Sequence, residues 1–475
     1  MKKFNVSVFI FTRDLRLIDN TSLNNALHMS NTVLPIFILT PEQLDKNKFK
    51  SNNCIQFMME SLYELNEDLI KRGSKLFLFY DKPKDCIENL LSEQKIDAVF
   101  MNIDYTPYAK SRSEMYKNIC KKHGVDFFEY EDYVLCSVIG VLKSDNTPYV
   151  KFTPYYNKAK KIKIQDVDKK KYNNFISGNI SLKHEFKKNL NIFYEHNELV
   201  IKGGRKNALK ILSRMSDFKD YKATRDYPLL DTTRLSPYLK FNVISIREVY
   251  HLASSNELIK QLYWRNFYMM IMYHFPHVIG NPMKIHYDIK WDNDISLLNL
   301  WKEGKTGFPI VDAGMRQLNS IGWMHNRLRM ITSNFLVKIL HIDWRLGEKY
   351  FAQKLVDYDP ANNNGGWQWS ASTGSDSQPY FRIFNPWRQS EKFDKETLYI
   401  KKWIPELSNI PPKDIHKWYK TYINYCAKHG NHTNTCTSTC INTNRSVCET
   451  LTNYPKPIIE DLQKEIKKTL KLYKE

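Results

Sequence analysis

Five short apolar runs punctuate the N-terminal part of the chain: VSVFIF (6–11), VLPIFIL (33–39), KLFLFY (75–80), DAVFMNI (97–103) and DFFEY (126–130). Each has the length and the β-branched or aromatic content of a buried strand. Between them, 53–71 and 107–122 set apolar residues on one helical face, as Ile55, Met58, Met59, Leu62 and Leu65 show. Strands alternating with helices imply right-handed crossovers and a parallel sheet. The pattern predicts a doubly wound α/β domain over 1–135. No G-x-G-x-x-G motif occurs there, so a dinucleotide in this half has no motif behind it.

From 136 to 203 the chain is rich in lysine and asparagine and holds no sustained apolar period, which predicts a long interdomain linker. Helical spacing governs 204–410, with long stretches such as 310–340 and no strand alternation, so this part reads as an all-α domain. A polar extension, 411–475, ends in a charged amphipathic segment at 457–473. The fold expected is therefore α/β plus all-α, a parallel-sheet domain joined by the linker to a helical one.

Charge narrows the partner. Lysine and arginine number 71 against 51 acidic residues, a formal charge of +20. Such an excess favours a polyanion. No apolar run approaches the ~18–20 residues of a spanning helix, so no membrane attachment is expected. The opening MKKFNVSVFIFT reads as a first strand and not as a signal peptide. Of eight cysteines, Cys54, Cys86, Cys120 and Cys136 are scattered like reduced core residues. Cys426, Cys436, Cys440 and Cys448 share a polar stretch with His429 and His432, without the paired C-x-x-C of zinc sites. That stretch reads as a free-thiol loop, no metal is expected, and an intracellular home follows, with nucleus and cytoplasm undistinguished.

All ten tryptophans lie between Trp264 and Trp418, several in polar surroundings. In DTTRLSPYLKF (231–241), Ser236 followed by Pro237 makes a good helix start. The hydroxyls of Thr232, Thr233 and Ser236 beside free N–H groups suit a phosphate or pyrophosphate, although an ordinary capped helix satisfies the same pattern. In GWMHNRLRM (322–330), Asn326 and Met330 lie one turn apart on one face, while Arg327 and Arg329 point elsewhere. DYDPANNNGGWQWSAS (357–372) reads as a polar, glycine-bearing loop that binds something. Asp357 and Asp359 lack the further ligand a metal needs.

FTRDLRLIDNTSL (11–23), DYTPYAKSR (104–112), TTRLSPYLKF, YWRNFY (263–268), GKTGFPIVDAGMRQL (304–318), GWMHNRLRM, NNNGGWQWSASTG (362–374), PYFRIFNP (379–386) and KFD (392–394) together resemble the DNA photolyase/cryptochrome family, in family order over about 5–410. They are most similar to the class I cyclobutane pyrimidine dimer photolyases. The resemblance implies light-driven DNA repair by electron transfer from photo-excited reduced FAD held in the helical domain. It assigns Tyr221, Thr232, Thr233, Arg234, Leu235 and Ser236 to the phosphate and ribityl side of FAD. Arg329 and Asp357 match an ion pair beside the isoalloxazine, Tyr358 and Asp359 fall in the same flavin-contacting loop, and Asn363 matches the position facing flavin N5. Trp367, Trp344 and Trp291 match the tryptophan chain that re-reduces flavin from the surface. Trp264 and Trp369 resemble the walls around a flipped-out dimer. Arg225, Gln261, Trp264, Arg265, Asn326, Arg327, Trp369 and Gln389 align with contacts to UV-damaged DNA. The implied catalytic set is Gln261, Asn326, Met330 and Asn363, in a monomer.

Two departures matter. The family's dimer-splitting glutamate is Gln261 here, the residue usual in (6-4) photolyases and animal-type cryptochromes. Yet the catalytic histidine of (6-4) enzymes falls at Asn326, and Asn326 with Met330 is the cyclobutane-dimer pattern. Ala109 stands near the place where folate-binding relatives carry a carboxylate, which disfavours folate and leaves the antenna chromophore open. The alternative functions are a cryptochrome-like blue-light photoreceptor without repair, or (6-4) repair.

Overall fold

The computed structural model describes residues 2–284, 289–429 and 453–474, and of 424–429 only the backbone. All five expected strands form: β1 (Phe4–Phe11), β2 (Ser30–Leu39), β3 (Phe77–Tyr80), β4 (Ala98–Asn102) and β5 (Asp126–Tyr130). They pair in parallel in the order β3-β2-β1-β4-β5. In register, Phe4 faces Ser30 and Phe11 faces Phe37, while Ser7 faces Ala98 on the other flank of β1. The chain steps outward from β1 to β3 and then returns to the far side of β1. That reversal defines a doubly wound sheet and leaves a topological switch point at the ends of β1 and β4.

The expected helices appear as Asn52–Ile70 and Pro107–His123. Ser51 caps the first through the N–H of Cys54. Thr106 and Pro107 open the second, and Gly124, at φ 66, closes it in the left-handed region. Val8, Ile10, Ile36, Phe77 and Val99 are buried in one core. Phe9, Val33, Phe37 and Phe100, of alternate parity, are buried as well. Burial on both faces explains why the central strands β1, β2 and β4 read as continuous apolar runs. Cys86, Cys120 and Cys136 are buried free thiols and Cys54 is a half-buried one. The side chains of Cys426, His429, His432, Cys436, Cys440 and Cys448 lie outside the described residues.

The chain divides into two compact units. The first comprises Met1–Lys222, Thr233–Ile279 and Val356–Asn363; the second comprises Ala223–Thr232, Gly280–Leu355 and Asn364–Glu475. Within the first, the stretch 136–203 is pinned from Asn174 onward. Val33 N–H donates to the Asn174 carbonyl, Ile176 N–H to that of Val33 and Phe186 N–H to that of Leu78. Gln56 and Glu60, on the helix Asn52–Ile70, accept the N–H groups of Asn197 and Gly203. The segment has little helical or strand periodicity because other elements satisfy much of its backbone. Buried charges close this unit: Arg16 and Arg247 both meet Asp132, at 2.5 and 3.0 Å, and Arg247 also meets Asp19 at 2.8 Å. Burial alone would raise Asp132, but the two guanidinium groups bring it down to about 2.

The second unit is helical, and no strand occurs among its described residues. The stretch 310–340, expected to be helical, forms two helices, Pro309–Ile321 and Asn326–Lys338. Gly322, at φ 66, ends the first, and the His325 ring accepts the N–H of Arg327 to start the second. Trp301, Phe335, Leu336, Phe351 and Trp367 form part of its core. The amphipathic segment near the end of the chain is the helix Leu462–Leu472, anchored by buried Thr469 and by Tyr473, whose hydroxyl donates to the Ala371 carbonyl at 2.5 Å.

Candidate active site

At the switch point the first unit sets charges of its own. Arg13 leaves β1, and its guanidinium meets Asp359 at 2.6 Å and Asp104, beyond β4, at 3.4 Å. Its Nε donates to the Lys240 carbonyl. Burial would raise Asp359, but Arg13, Lys240 and Arg265 hold the carboxyl well below the ordinary range. Asp359 is thus a fixed anion, and its other oxygen accepts the backbone N–H and side-chain amide of Asn362 at 3.0 and 2.8 Å. This clamp places the neighbouring Asp357, 7% exposed, and Tyr358, whose ring lies parallel to that of Phe49.

It also corrects one expectation. The segment expected as a loop at 357–372 is largely the helix Pro360–Ser370. Asp359 caps it, Pro360 fits the first helical position, and Ala361 and Trp367 are buried along it. Those contacts override the poor helix propensity of its asparagines and glycines. Asn363 sits in its first turn, half-buried.

A second correction concerns Ser236. It is the first residue of the short helix Ser236–Lys240 and makes no capping hydrogen bond, with Leu235 in the cap position. Arg234, at φ 48, turns the chain just before it. Arg234 and Thr233 are half-buried, as is Tyr221; Leu235 is buried and Ser236 exposed.

The helix Asn256–His274 carries the first unit's remaining candidates. Trp264 is stacked on Phe152, with centroids 3.6 Å apart and planes within 6°, and Tyr268 lies on it at 5.8 Å. Gln261, one turn earlier, donates from its amide to the Glu257 carbonyl and carboxylate. Arg265 donates to the carbonyls of Tyr133 and Leu239, and burial, with Arg13 nearby, lowers it to about 10.

In the second unit, Asn326 is exposed at the start of its helix and its amide lies 3.8 Å from the Met330 sulfur. Arg327 pairs with Asp226 at 2.6 Å, and its guanidinium covers the Phe393 ring at 4.4 Å. Arg329 donates to the Met324 carbonyl. Arg225, Thr232 and Gln389 are half-buried, as is Trp369. Trp344 and Trp367 are 1% and 2% exposed, whereas Trp291 is half-buried and meets Tyr473 edge-on. Trp367 also packs against Trp301 and Phe351.

Two buried groups here escaped the reading of the sequence. Glu348 is hydrogen-bonded to Asn364, and burial raises it to about 7. Lys338 is fully buried over the Tyr473 ring, and burial with Lys284 nearby lowers it to about 6. Arg13, Arg16 and Arg247 were missed in the first unit; the dense charge of TRDLR directly after an apolar strand was the available signal for Arg13 and Arg16.

Residues 7–171 match the DNA photolyase family model, and residues 258–475 match the FAD binding domain of DNA photolyase. A deoxyribodipyrimidine photo-lyase from Alkalihalophilus pseudofirmus is 36% identical, covering 98% of this chain and 97% of its own. Among solved structures, an archaeal photolyase from Sulfolobus tokodaii, described with two FAD molecules, is 40% identical, with a TM-score of 0.85 and 99% of both chains covered. A Synechocystis cryptochrome superposes equally well, at 0.85 over 99% of both chains, with 25% identity. A parallel-sheet domain followed by a helical FAD-binding domain is thus the class that fold and similarity define. The chain belongs to the DNA photolyase family. It is an enzyme of the photo-lyase type and an FAD-binding protein.

The residues of the first unit fit FAD: Thr233 and Ser236 supply hydroxyls, the turn Ser236–Lys240 has no side-chain cap at its start, and Asn363 supplies an amide. Among the described residues, no helix is long and apolar enough to cross a membrane.

Proposed function

We propose that this enzyme repairs cyclobutane pyrimidine dimers in UV-damaged DNA, as a monomer. The Asn326–Met330 pair carries this reading. An exposed amide 3.8 Å from a thioether has no group that exchanges a proton near neutral pH, which (6-4) repair requires of its histidine. Cyclobutane-ring splitting needs electron donation and hydrogen bonds but no such acid–base partner.

FAD, when bound, supplies light absorption and reversible one-electron donation. The protein supplies position. Tyr221, Thr232, Thr233, Arg234, Leu235 and Ser236 would hold its phosphate and ribityl side, and Arg329, Asp357, Tyr358, Asp359 and Asn363 its ring side. Trp264 and Trp369 would wall a flipped dimer; Phe152 already stiffens Trp264 by stacking. Arg225, Arg265, Arg327 and Gln389 would meet the DNA around it, together with Gln261 and Asn326. Trp291, Trp344 and Trp367 would relay electrons inward, and burial supports Trp291 as the outer member, since it alone of the three is half-buried. Ala109 is 3% exposed and offers no carboxylate, so folate is not proposed as antenna.

The test is an oligonucleotide with one cyclobutane thymine dimer, incubated with FAD-loaded, chemically reduced enzyme. Thymines should be restored under blue light and not in darkness. Equal restoration in both, or none, would overturn the proposal.

A further inference from the structure

The relay proposed above runs through Trp291, Trp344 and Trp367, yet another tryptophan touches Trp367 directly. Trp301, on the helix Ile295–Glu303, meets that ring edge-on, with centroids 6.1 Å apart and planes at 73°. It is fully buried, and its Nε1 donates to the Thr332 carbonyl at 3.0 Å. Phe351 lies against both indoles, 6.0 Å from Trp301 and 4.9 Å from Trp367. Tyr350 in turn lies 5.9 Å from Trp301 and is half-buried, so the three rings lead from the core towards solvent. Its hydroxyl donates to the Asn319 amide oxygen at 2.6 Å, with the Lys302 carbonyl at 3.2 Å, and Asn319 is exposed. Burial raises that hydroxyl to about 12, so the phenol is neutral at rest. The ammonium groups of Lys302 and Lys354 lie over the Tyr350 ring at 5.6 and 5.7 Å. They oppose any positive charge left on the ring, so oxidation of Tyr350 has to release the phenol proton.

We propose that Trp301 and Tyr350 form a second route by which electrons reach Trp367, ending at a tyrosine that gives up a proton with its electron. This rests on the electron-relay reading above. Once Trp367 has lost an electron, Trp301 supplies one and becomes a radical cation. Its N–H faces a backbone carbonyl, too weak a base to take the proton, so the positive charge stays mobile. Tyr350 then gives an electron to Trp301 and loses its hydroxyl proton to water at Asn319. The tyrosyl radical that results is neutral, and for Tyr350 to recover its electron it must also recover a proton. Charge separation is therefore prolonged. A thiol in solution restores Tyr350 by donating one electron and one proton, and is itself oxidised to a thiyl radical.

The experiment illuminates FAD-loaded enzyme with a thiol as donor. It reads flavin reduction and, by electron paramagnetic resonance, the identity of the protein radical. Trp344→Phe closes the route through Trp291, so residual reduction should persist and a tyrosyl signal should accompany it. Adding Trp301→Phe should bring reduction down to the level of Trp367→Phe. Adding Tyr350→Phe instead should do the same while keeping the ring and the core packing, which covers the case in which the buried Trp301→Phe fails to fold. In the otherwise intact enzyme, Tyr350→Phe alone should remove the tyrosyl signal. Reduction in the Trp344→Phe background should also slow in deuterated water, because Tyr350 loses a proton. A Trp344→Phe enzyme as inactive as Trp367→Phe, a tyrosyl signal absent or unaffected by Tyr350→Phe, or residual reduction that Tyr350→Phe leaves intact would each overturn this inference alone. Unchanged reduction in Trp367→Phe would overturn the relay reading, and the inference with it.

Discussion

Gly347 controls where Trp367 sits. It lies on the helix Trp344–Lys354, and a methyl group placed on it would come within 2.1 and 2.4 Å of two indole carbons of Trp367 and 2.6 Å of a Leu336 methyl. Carbon atoms pack at about 3.5–4.0 Å, so Gly347→Ala demands a relative shift of roughly 1.4 Å or more. Neither neighbour is a flexible tip: Trp367 is 2% exposed and Leu336 fully buried. Overpacking of this kind costs about 1–3 kcal/mol, and the rigid ring argues for the upper end. Alanine's better helix propensity returns roughly 1 kcal/mol. A net loss of about 2 kcal/mol lowers Tm by roughly 4–8 °C for a unit of this size. Thermal scans at matched rates, with near-ultraviolet circular dichroism, read both the loss and the displaced indole. Photoreduction of the FAD-loaded variant should also slow, though less than in Trp367→Phe, which removes the oxidisable indole. A variant as stable as its parent, with an unchanged aromatic spectrum, would refute the packing argument. Unchanged photoreduction in Trp367→Phe would refute the electron relay.

Other expectations follow from charge. Asp132→Ala leaves Arg16 and Arg247 buried without their shared acid and should cost about 3–5 kcal/mol in denaturant unfolding; a loss below 1 kcal/mol would contradict that. Glu348, raised to about 7 by burial, stays protonated in the folded protein while the unfolded chain ionises, so its stabilising contribution falls as pH rises from about 4.5 to 7. Glu348→Gln should therefore gain stability relative to the parent across that window, and a constant difference would argue against the shift. Arg327→Ala should flatten the log–log salt dependence of DNA affinity by about 0.9, whereas Asp226→Asn, freeing the same guanidinium, should strengthen binding. Equal slopes in parent and Arg327→Ala would remove Arg327 from the phosphate contacts.

The sheet was legible because its central strands β1, β2 and β4 are buried on both faces, which writes them as short apolar runs bounded by polar turns. What escaped is what depends on distant partners. Asparagine and glycine at 362–366 favour a loop, and only the Asp359 clamp to Arg13 and the burial of Trp367 make that segment helical. Gly322, in the left-handed region, splits 310–340, a break the helical spacing alone does not show. Ser236 and Pro237 look like a cap until the backbone at Arg234 moves the helix start by one residue. The site motifs were readable as family phrases, but the ion pairs of Arg13 and Arg247 join residues hundreds of positions apart.

The most direct test of the account sets two lesions side by side. Two oligonucleotides of one sequence, one with a cyclobutane thymine dimer and one with a (6-4) photoproduct, are irradiated with the same reduced, FAD-loaded enzyme, and restored bases are counted. The exposed Asn326 amide beside Met330 predicts restoration of the cyclobutane substrate and none of the (6-4) substrate. Restoration of the (6-4) substrate alone would contradict the assignment of the lesion, and inactivity on both would contradict repair.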